Sequence, residues 1–463
     1  MVSLLTDAAP SPYWWEGLTS RLGTRPALSD DLTVDVAIIG GGYTGLWTAY
    51  ELAAADPDLR IAVLEKSHVG FGASGRNGGW CYDGFSAGLD RIEALSDLDT
   101  ARRFGRVLRE TVDEVGKVVS TEGIECDFHK GGSVEFLRNG GQLARAHHEV
   151  EAALRHGAAG EDTRVLSAAE ASAIGRASDL QGGLWSRNTA ALHPAKLAVG
   201  LAEAVERRGV TVFENTAAAE IESGRVTTAD GATVSASIIV RATEGYTADL
   251  PGHHRRIAPV YSIMIATEPL PASLWDEIGL ADRQTFGDFR HTIIYGQRTI
   301  DDRIAFGGRA TPYNYGSRIR ANAEFPVEAF APVHRSLLEV FPRLAGIAVT
   351  HRWGGVLGAP RTWLPTVGLD SATGLAWAGG YVGAGVAATN LAGRTLADLI
   401  TGRDSELTGF PWVNRSVRSW EPEPLRWLGI HAAYRVMLGA DRYENRKHRP
   451  ARRANLVWWV GKH

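Results

Sequence analysis

VDVAIIGGGYTGLWTAYELAAAD, residues 34–56, passes from an apolar run through a glycine turn into a helical pattern. VDVAII reads as a short strand buried on both faces, of the kind found in parallel sheets. Gly40, Gly42 and Gly45 stand in the G-x-G-x-x-G spacing. The first glycine allows the tight turn, the second lets a pyrophosphate approach the backbone, and the third lets helix and strand pack closely. The helix that opens at Tyr43 and Thr44 then offers unpaired N–H groups to phosphates. A second strand, RIAVLE, ends in Glu65, twenty residues past Gly45, with Lys66 next. A carboxylate there accepts the ribose hydroxyls of an adenosine and disfavours a 2′-phosphate. Strand, turn, helix and acid together predict a dinucleotide site.

Which dinucleotide is bound depends on the stretch GFGASGRNGGWCYDGF at 70–85. A nicotinamide-binding unit proceeds to another helix and strand, whereas this segment is a small-residue loop with no hydrophobic face. Such a loop suits a long cofactor touched along its length. With Ala73, Ser74, Gly75, Arg76, Asn77, Gly78, Gly79 and Trp80 in this position, the chain resembles the D-amino acid oxidase superfamily of FAD-dependent oxidoreductases (glycine/sarcosine oxidase-like). It looks most like the γ-glutamylputrescine oxidase-like branch. The resemblance implies that this loop runs beside the pyrophosphate and the isoalloxazine ring.

The resemblance extends along most of the chain. It implies that the helix and strand in residues 192–223 lead to backbone contacts with adenine at Ala218. ASIIVRATEGY resembles a family strand ending in Ala-Thr-Gly; Ala242 and Thr243 match, and Glu244 replaces the glycine. HRWGGVLGAPRTWLPTVG matches the approach to the last flavin strand, which implies that Arg352, Trp353 and Gly354 neighbour the ring. Residues 374–400 again read as strand, glycine turn and helix. Gly380, Gly383, Gly385, Val386 and Ala387 are the expected flavin contacts there, with a helix N-terminus starting near Gly385 to Ala388 that stabilises negative charge at N1 and the C2 carbonyl. There is one G-x-G-x-x-G, so a second site for NAD(P)H is not supported.

The expected fold class is α/β (α+β), a Rossmann-like FAD-binding domain with a discontinuous antiparallel-sheet substrate domain. The expected pieces are 1–89, 161–250 and 346–402 for FAD binding, 90–160 and 251–345 for substrate, and 403–463 as a C-terminal extension. RRIAPVYSIMIATEPL, RHTIIYGQRT and RIAFGGRA read as strands of the substrate sheet, and DFHKGGSVEFLRN as a strand pair. Tyr261, His291 and Tyr295 are candidate catalytic residues facing the flavin, with Arg352 a candidate for holding a substrate carboxylate. Alternation puts His291, Ile293 and Tyr295 on one face. Core packing or a solvated face is the competing reading for each.

The family implies oxidation of a C–N bond: a neutral primary or secondary amine loses hydride to flavin N5 and the resulting imine hydrolyses. Reoxidation by O2 giving H2O2 is favoured over a dehydrogenase using a quinone or carrier. Several relatives place a lysine by the ring to assist oxygen, but none occurs here between Lys196 and Lys447, leaving His291, His351 and Arg352 as candidates. Relatives that attach FAD through cysteine use one late in the chain; the last here is Cys126, so FAD is expected to be non-covalent.

The 463 residues are 44% hydrophobic and 22% charged with net charge -4, ordinary for a soluble protein of two or more cores and without global attraction to nucleic acid. The two cysteines lack metal-type spacing, and no metal site is expected. No leader or apolar span of about 18 residues is seen, so the expected location is cytoplasmic. The tail RYENRKHRPARRANLVWWVGKH, with Trp458 and Trp459, is read as an extension packed on its own subunit or a partner; membrane or tRNA docking is the alternative.

Overall fold

Val36 to Ile39 of strand β1 (Leu32–Ile39) are almost fully buried, as befits a strand covered on both faces. In the computed structural model, which describes residues 5–319 and 325–454, β1 lies parallel to β2 (Ile61–Leu64) on one side and β11 (Thr233–Arg241) on the other. β8 (Thr211–Phe213) continues the parallel set beyond β2, and β18 (Leu375–Gly379) beyond β11. β17 (Thr366–Asp370) closes the edge antiparallel, and the hairpin of β9 (Ala218–Glu222) and β10 (Arg225–Thr228) hangs on β11. Three separated pieces of chain therefore build one nucleotide-binding sheet.

Its two glycine-led helices, Tyr43–Ala55 and Val386–Thr401, cross at close range. A Cβ at Gly393 would lie 2.8 Å from Trp47 backbone, so only glycine permits this approach.

The second sheet runs β16 (Val349–Ala359), β12 (Ala258–Thr267), β15 (Ile304–Tyr313), β14 (Ile294–Arg298), β13 (Thr285–Asp288), β4 (Ser133–Leu137), β6 (Gly182–Ser186), β5 (Thr163–Ser167). All its pairs are antiparallel except β13 with β4. A small two-stranded sheet, β3 (Trp80–Tyr82) with β7 (Thr189–Ala191), links the two layers. Alternation sorts β12 into two cores: Met264 and Ala266 join the core of the nucleotide side, whereas Tyr261, Ile263 and Ile265 face the other core, which includes Val333 and Leu337 of the helix Ala331–Val340.

The strands shift the expected boundaries. β5 and β6, expected within the FAD-binding piece 161–250, and β16, expected within 346–402, are strands of this second sheet. DFHKGGSVEFLRN supplies one strand, β4, preceded by a single bridge from His129 to Ala191; Gly131 and Gly132 separate the two. The extension packs on its own chain: Glu444 of the helix Leu425–Lys447 meets Arg145 at 2.5 Å, and Asp441 accepts from the backbone N–H groups of His291 and Thr292. Trp458 and Trp459 lie outside the described residues. No described helix is long and apolar enough to cross a membrane.

Replacing Gly393 by Val should force the two helices apart and lower stability by about 1–3 kcal/mol, as overpacking does. Melting curves of wild type and G393V check this.

Candidate active site

The first glycine turn is built as its spacing demands. Gly40 has φ +111°, and a Cβ there would lie 2.7 Å from the Ala242 carbonyl oxygen; a Cβ at Gly45 would collide with the Gly40 carbonyl. Gly42 caps the helix, and a Cβ on it would meet Ser74 Oγ at 2.9 Å. That hydroxyl accepts from the Tyr43 N–H at 2.8 Å, Thr44 Oγ1 donates to the Tyr381 hydroxyl, and Tyr43 Oη bonds the Pro194 carbonyl. Glu65 is enclosed, and its carboxylate accepts the N–H groups of Gly41 (2.8 Å) and Ser67 (2.9 Å). Burial raises its pKa against the pull of these two donors. One bond to each oxygen leaves acceptor capacity for two ribose hydroxyls. Lys66 follows it, and Thr216 N–H donates to the Glu65 carbonyl, which brings the segment before Ala218 to this edge. Bare backbone, helix N-terminus and acid fit a dinucleotide such as FAD.

The loop after Glu65 is held by others' side chains. Ala73–Gly75 forms one 3-10 turn, and beyond it four successive carbonyls are each claimed. Trp353 Nε1 donates to the carbonyl of Arg76 (2.9 Å), Trp14 Nε1 to Asn77 (2.8 Å), Gln297 Nε2 to Gly78 (2.6 Å), and Leu192 N–H to Gly79 (2.9 Å). Asn77 adds an internal brace: its amide donates to the carbonyls of Ala73 and Ser74, and its Oδ1 accepts from the Gly79 N–H. Gly79 has φ +69°, and a Cβ there would collide with Gln297 and the Leu192 carbonyl. Arg76 is held by carbonyls, Phe71 at 2.7 Å and Gly354 at 3.2 Å, and burial lowers its pKa.

Between this loop and the second sheet lies a cavity of about 1100 Å³. Ala73, Arg76, Asn77, Gly78 and Trp80 line one side, Ser262, Tyr295, Gly355 and Leu357 the other, and Val382, Gly383 and Val386 a third. Tyr295 reaches the loop: a Cβ at Gly78 would lie 2.5 Å from its ring, and its hydroxyl is 2.6 Å from Ser262 Oγ. Trp80 Nε1 donates to the Gly296 carbonyl.

Four other candidates are placed differently. Tyr261 points to the opposite face of β12, its hydroxyl on the Arg318 carbonyl and its ring against Phe325. The neighbouring Ser262 takes the cavity side; one residue along a strand inverts the face. Arg352 pairs in register with Ile265 and lies over Phe330, while Trp353 turns inward; Gly354 faces Phe325, and its carbonyl accepts from Arg76. His291 is in a turn before β14, not on the strand, and its Nε2 is 3.0 Å from Glu444. It shares the cavity wall with Phe289 and Arg290. His351 packs edge-on against Tyr13.

The second glycine turn carries Gly380 (φ +86°) and Gly383 (φ +96°), then Gly385 caps the helix, with Val386 and Ala387 in its first turn. Glu244, at φ +41°, accepts from the N–H groups of Gly358 (3.1 Å) and Gly380 (2.7 Å), tying the strand end after Ala242 and Thr243 to this turn. Burial raises its pKa to about 7 against those donors.

Sequence reasoning missed Trp14, Gln297 and Ser262. The tryptophan pair in SPYWWEGL was a visible signal, because adjacent large aromatics near a chain start are seldom left in water; nothing in TIIYGQRTI marks Gln297 as a loop clamp.

The family model described as "DAO: FAD dependent oxidoreductase" matches residues 35–399. The gamma-glutamylputrescine oxidoreductase of Escherichia coli (strain K12) is 33% identical over 392 residues, 83% of this chain and 87% of that protein. A D-amino acid dehydrogenase of Methylobacterium sp. (strain 4-46) is 27% identical over 435 residues, 83% of this chain and 99% of the relative. The crystal structure of glycine oxidase from Geobacillus kaustophilus superposes with a TM-score of 0.66 at 21% identity, covering 82% of this chain and 96% of that one.

Two outcomes are expected. E65Q loses the ionised acceptor and should weaken FAD binding roughly 10- to 100-fold, read by titrating stripped protein with FAD and following flavin fluorescence. Between an ordinary carboxyl value of 4.5 and about 7, the folded chain keeps a proton on Glu244 that the unfolded chain releases. Stability therefore falls as pH rises through that window, and E244Q should flatten this part of the melting profile.

Proposed function

Given that the chain belongs to the DAO family of FAD-dependent oxidoreductases, we propose that it oxidises a C–N bond of a primary or secondary amine with O2 as acceptor. Amine, O2 and water give a carbonyl compound, the released amine or ammonia, and H2O2. FAD, when bound, supplies the hydride acceptor.

The observation that carries the reading is the cavity between the clamped glycine loop and the inward face of the second sheet. The loop presents Ala73, Arg76, Asn77 and Gly78 to that space, and a planar ring can lie along it there. The helix Val386–Thr401 directs its free N–H groups toward the same space, where they stabilise developing negative charge. Tyr295 and Ser262 form a hydroxyl pair on the sheet that holds the amine nitrogen and orients its α-carbon. Trp80, Leu357 and Val386 add apolar side chains to the cavity wall, and apolar surroundings favour a bound amine in its neutral form.

One observation favours a second reading, a dehydrogenase passing electrons to a quinone or carrier. His351 and Arg352 are turned away from the loop, His291 is engaged by Glu444, and Lys196 is paired with Asp127. Among the described residues Arg76 is the cation on the loop itself, and in the oxidase reading it stands in for the lysine of the relatives in place of His291, His351 and Arg352.

Anaerobic addition of an amine panel to the yellow holoprotein should bleach the flavin, and air should restore the colour with H2O2 formed. Absence of bleaching by every amine overturns amine oxidation. Bleaching that persists in air but is reversed by a quinone replaces the oxidase with the dehydrogenase.

A further inference from the structure

One row of residues crosses the inward face of the second sheet: Gly307, Tyr295, Gly287 and Glu135 are successive register partners on β15, β14, β13 and β4. The two glycines leave room for the larger side chains between them. A Cβ at Gly307 would lie 2.6 Å from the Tyr295 ring, and one at Gly287 would lie 2.6 Å from Glu135 Oε2. Glu135 therefore leans over Gly287 toward Tyr295, and it lines the same cavity.

No cation among the described residues meets its carboxyl group. Among the described residues the Glu135 carboxyl has neither a hydrogen bond nor an ion pair, and burial, reinforced by nearby Asp288, raises its pKa well above the usual carboxyl value. The cations of the cavity wall are committed elsewhere. Arg290 pairs with Asp288 (2.5 Å) and Glu339 (3.3 Å), Arg145 with Glu444 (2.5 Å), Arg155 with Glu93, and Arg76 with two carbonyls. Asp288 is thus neutralised, and Arg138 lies 3.4 Å from it as well. A carboxyl group deep in a protein yet open to a cavity is costly to ionise unless a cation meets it. Here the cation has to come from the ligand.

We propose that Glu135 receives a second, cationic nitrogen of the substrate, so that the amine oxidised beside Tyr295 is one end of a diamine or polyamine chain. This rests on the reading of the cavity as an amine-oxidising site. Two strand spacings separate Glu135 from Tyr295 along the row, and the lean over Gly287 shortens the gap to roughly 5–10 Å. A chain of a few methylenes spans it. Glu135 is a specificity residue in this account, not a participant in C–N oxidation.

The test compares 1,4-diaminobutane with n-pentylamine, which has the same number of heavy atoms but a methyl group in place of the second ammonium. Anaerobic flavin reduction of the holoenzyme is followed for each. Wild type should reach half-saturation at a much lower concentration of the diamine, and E135Q should shrink that preference roughly 10- to 100-fold, chiefly through KM and not kcat. E135D keeps the charge on a shorter arm. Across 1,3-diaminopropane to 1,6-diaminohexane, its preferred chain should be longer than that of wild type, and this comparison carries the test if E135Q does not fold. Equal half-saturation by diamine and monoamine in wild type, an undiminished preference in E135Q, or an unmoved chain-length optimum in E135D overturns the proposal while leaving amine oxidation intact. Failure of every amine to bleach the flavin overturns both.

Discussion

Three side-chain N–H groups from distant parts of the chain, Trp353, Trp14 and Gln297, hold the carbonyls of Arg76, Asn77 and Gly78. A loop this rich in glycine gives up more backbone entropy on ordering than any other composition, and it has no ladder of its own to satisfy its polar groups. The clamps supply both the bonds and the order. They also fasten the two sheets together, since Trp353 and Gln297 belong to the second sheet and the loop to the nucleotide side. The cavity exists because that attachment fixes the gap between the layers.

Much of the nucleotide side was legible in the sequence because its constraints are local. G-x-G-x-x-G, the acid at Glu65 and the late glycine turn are read from spacing, and each reflects a close backbone approach that a Cβ would block. The cavity face of the second sheet was less legible because its side chains are chosen by register. Tyr261 and Arg352 are each one residue out of phase with the neighbours that do turn inward, Ser262 and Trp353. His291 precedes the strand expected to carry it, which starts three residues later, at Ile294. Trp14 and Gln297 act across sequence separations of 63 and 219 residues, which no local pattern encodes.

Glu244 shows how a departure from a family pattern can be absorbed. A glycine at a left-handed position would cost nothing in strain. The glutamate accepts φ +41° and a buried carboxyl, and in return its two oxygens fasten the N–H groups of Gly358 and Gly380, so the strand end and the second glycine turn move as one piece. Glu135 is the opposite case. It has no such donors within the described residues, and its side chain opens to the space where a ligand would lie.

The most direct measurement of the account is a crystal structure of the holoprotein. The isoalloxazine ring should lie in the cavity along Ala73, Arg76 and Asn77, beside the contact of Tyr295 with Gly78, with its N1 and C2 carbonyl edge at the N-terminus of the helix Val386–Thr401. A ring found outside that cavity, or a loop whose carbonyls at Arg76, Asn77 and Gly78 have left Trp353, Trp14 and Gln297, would contradict it.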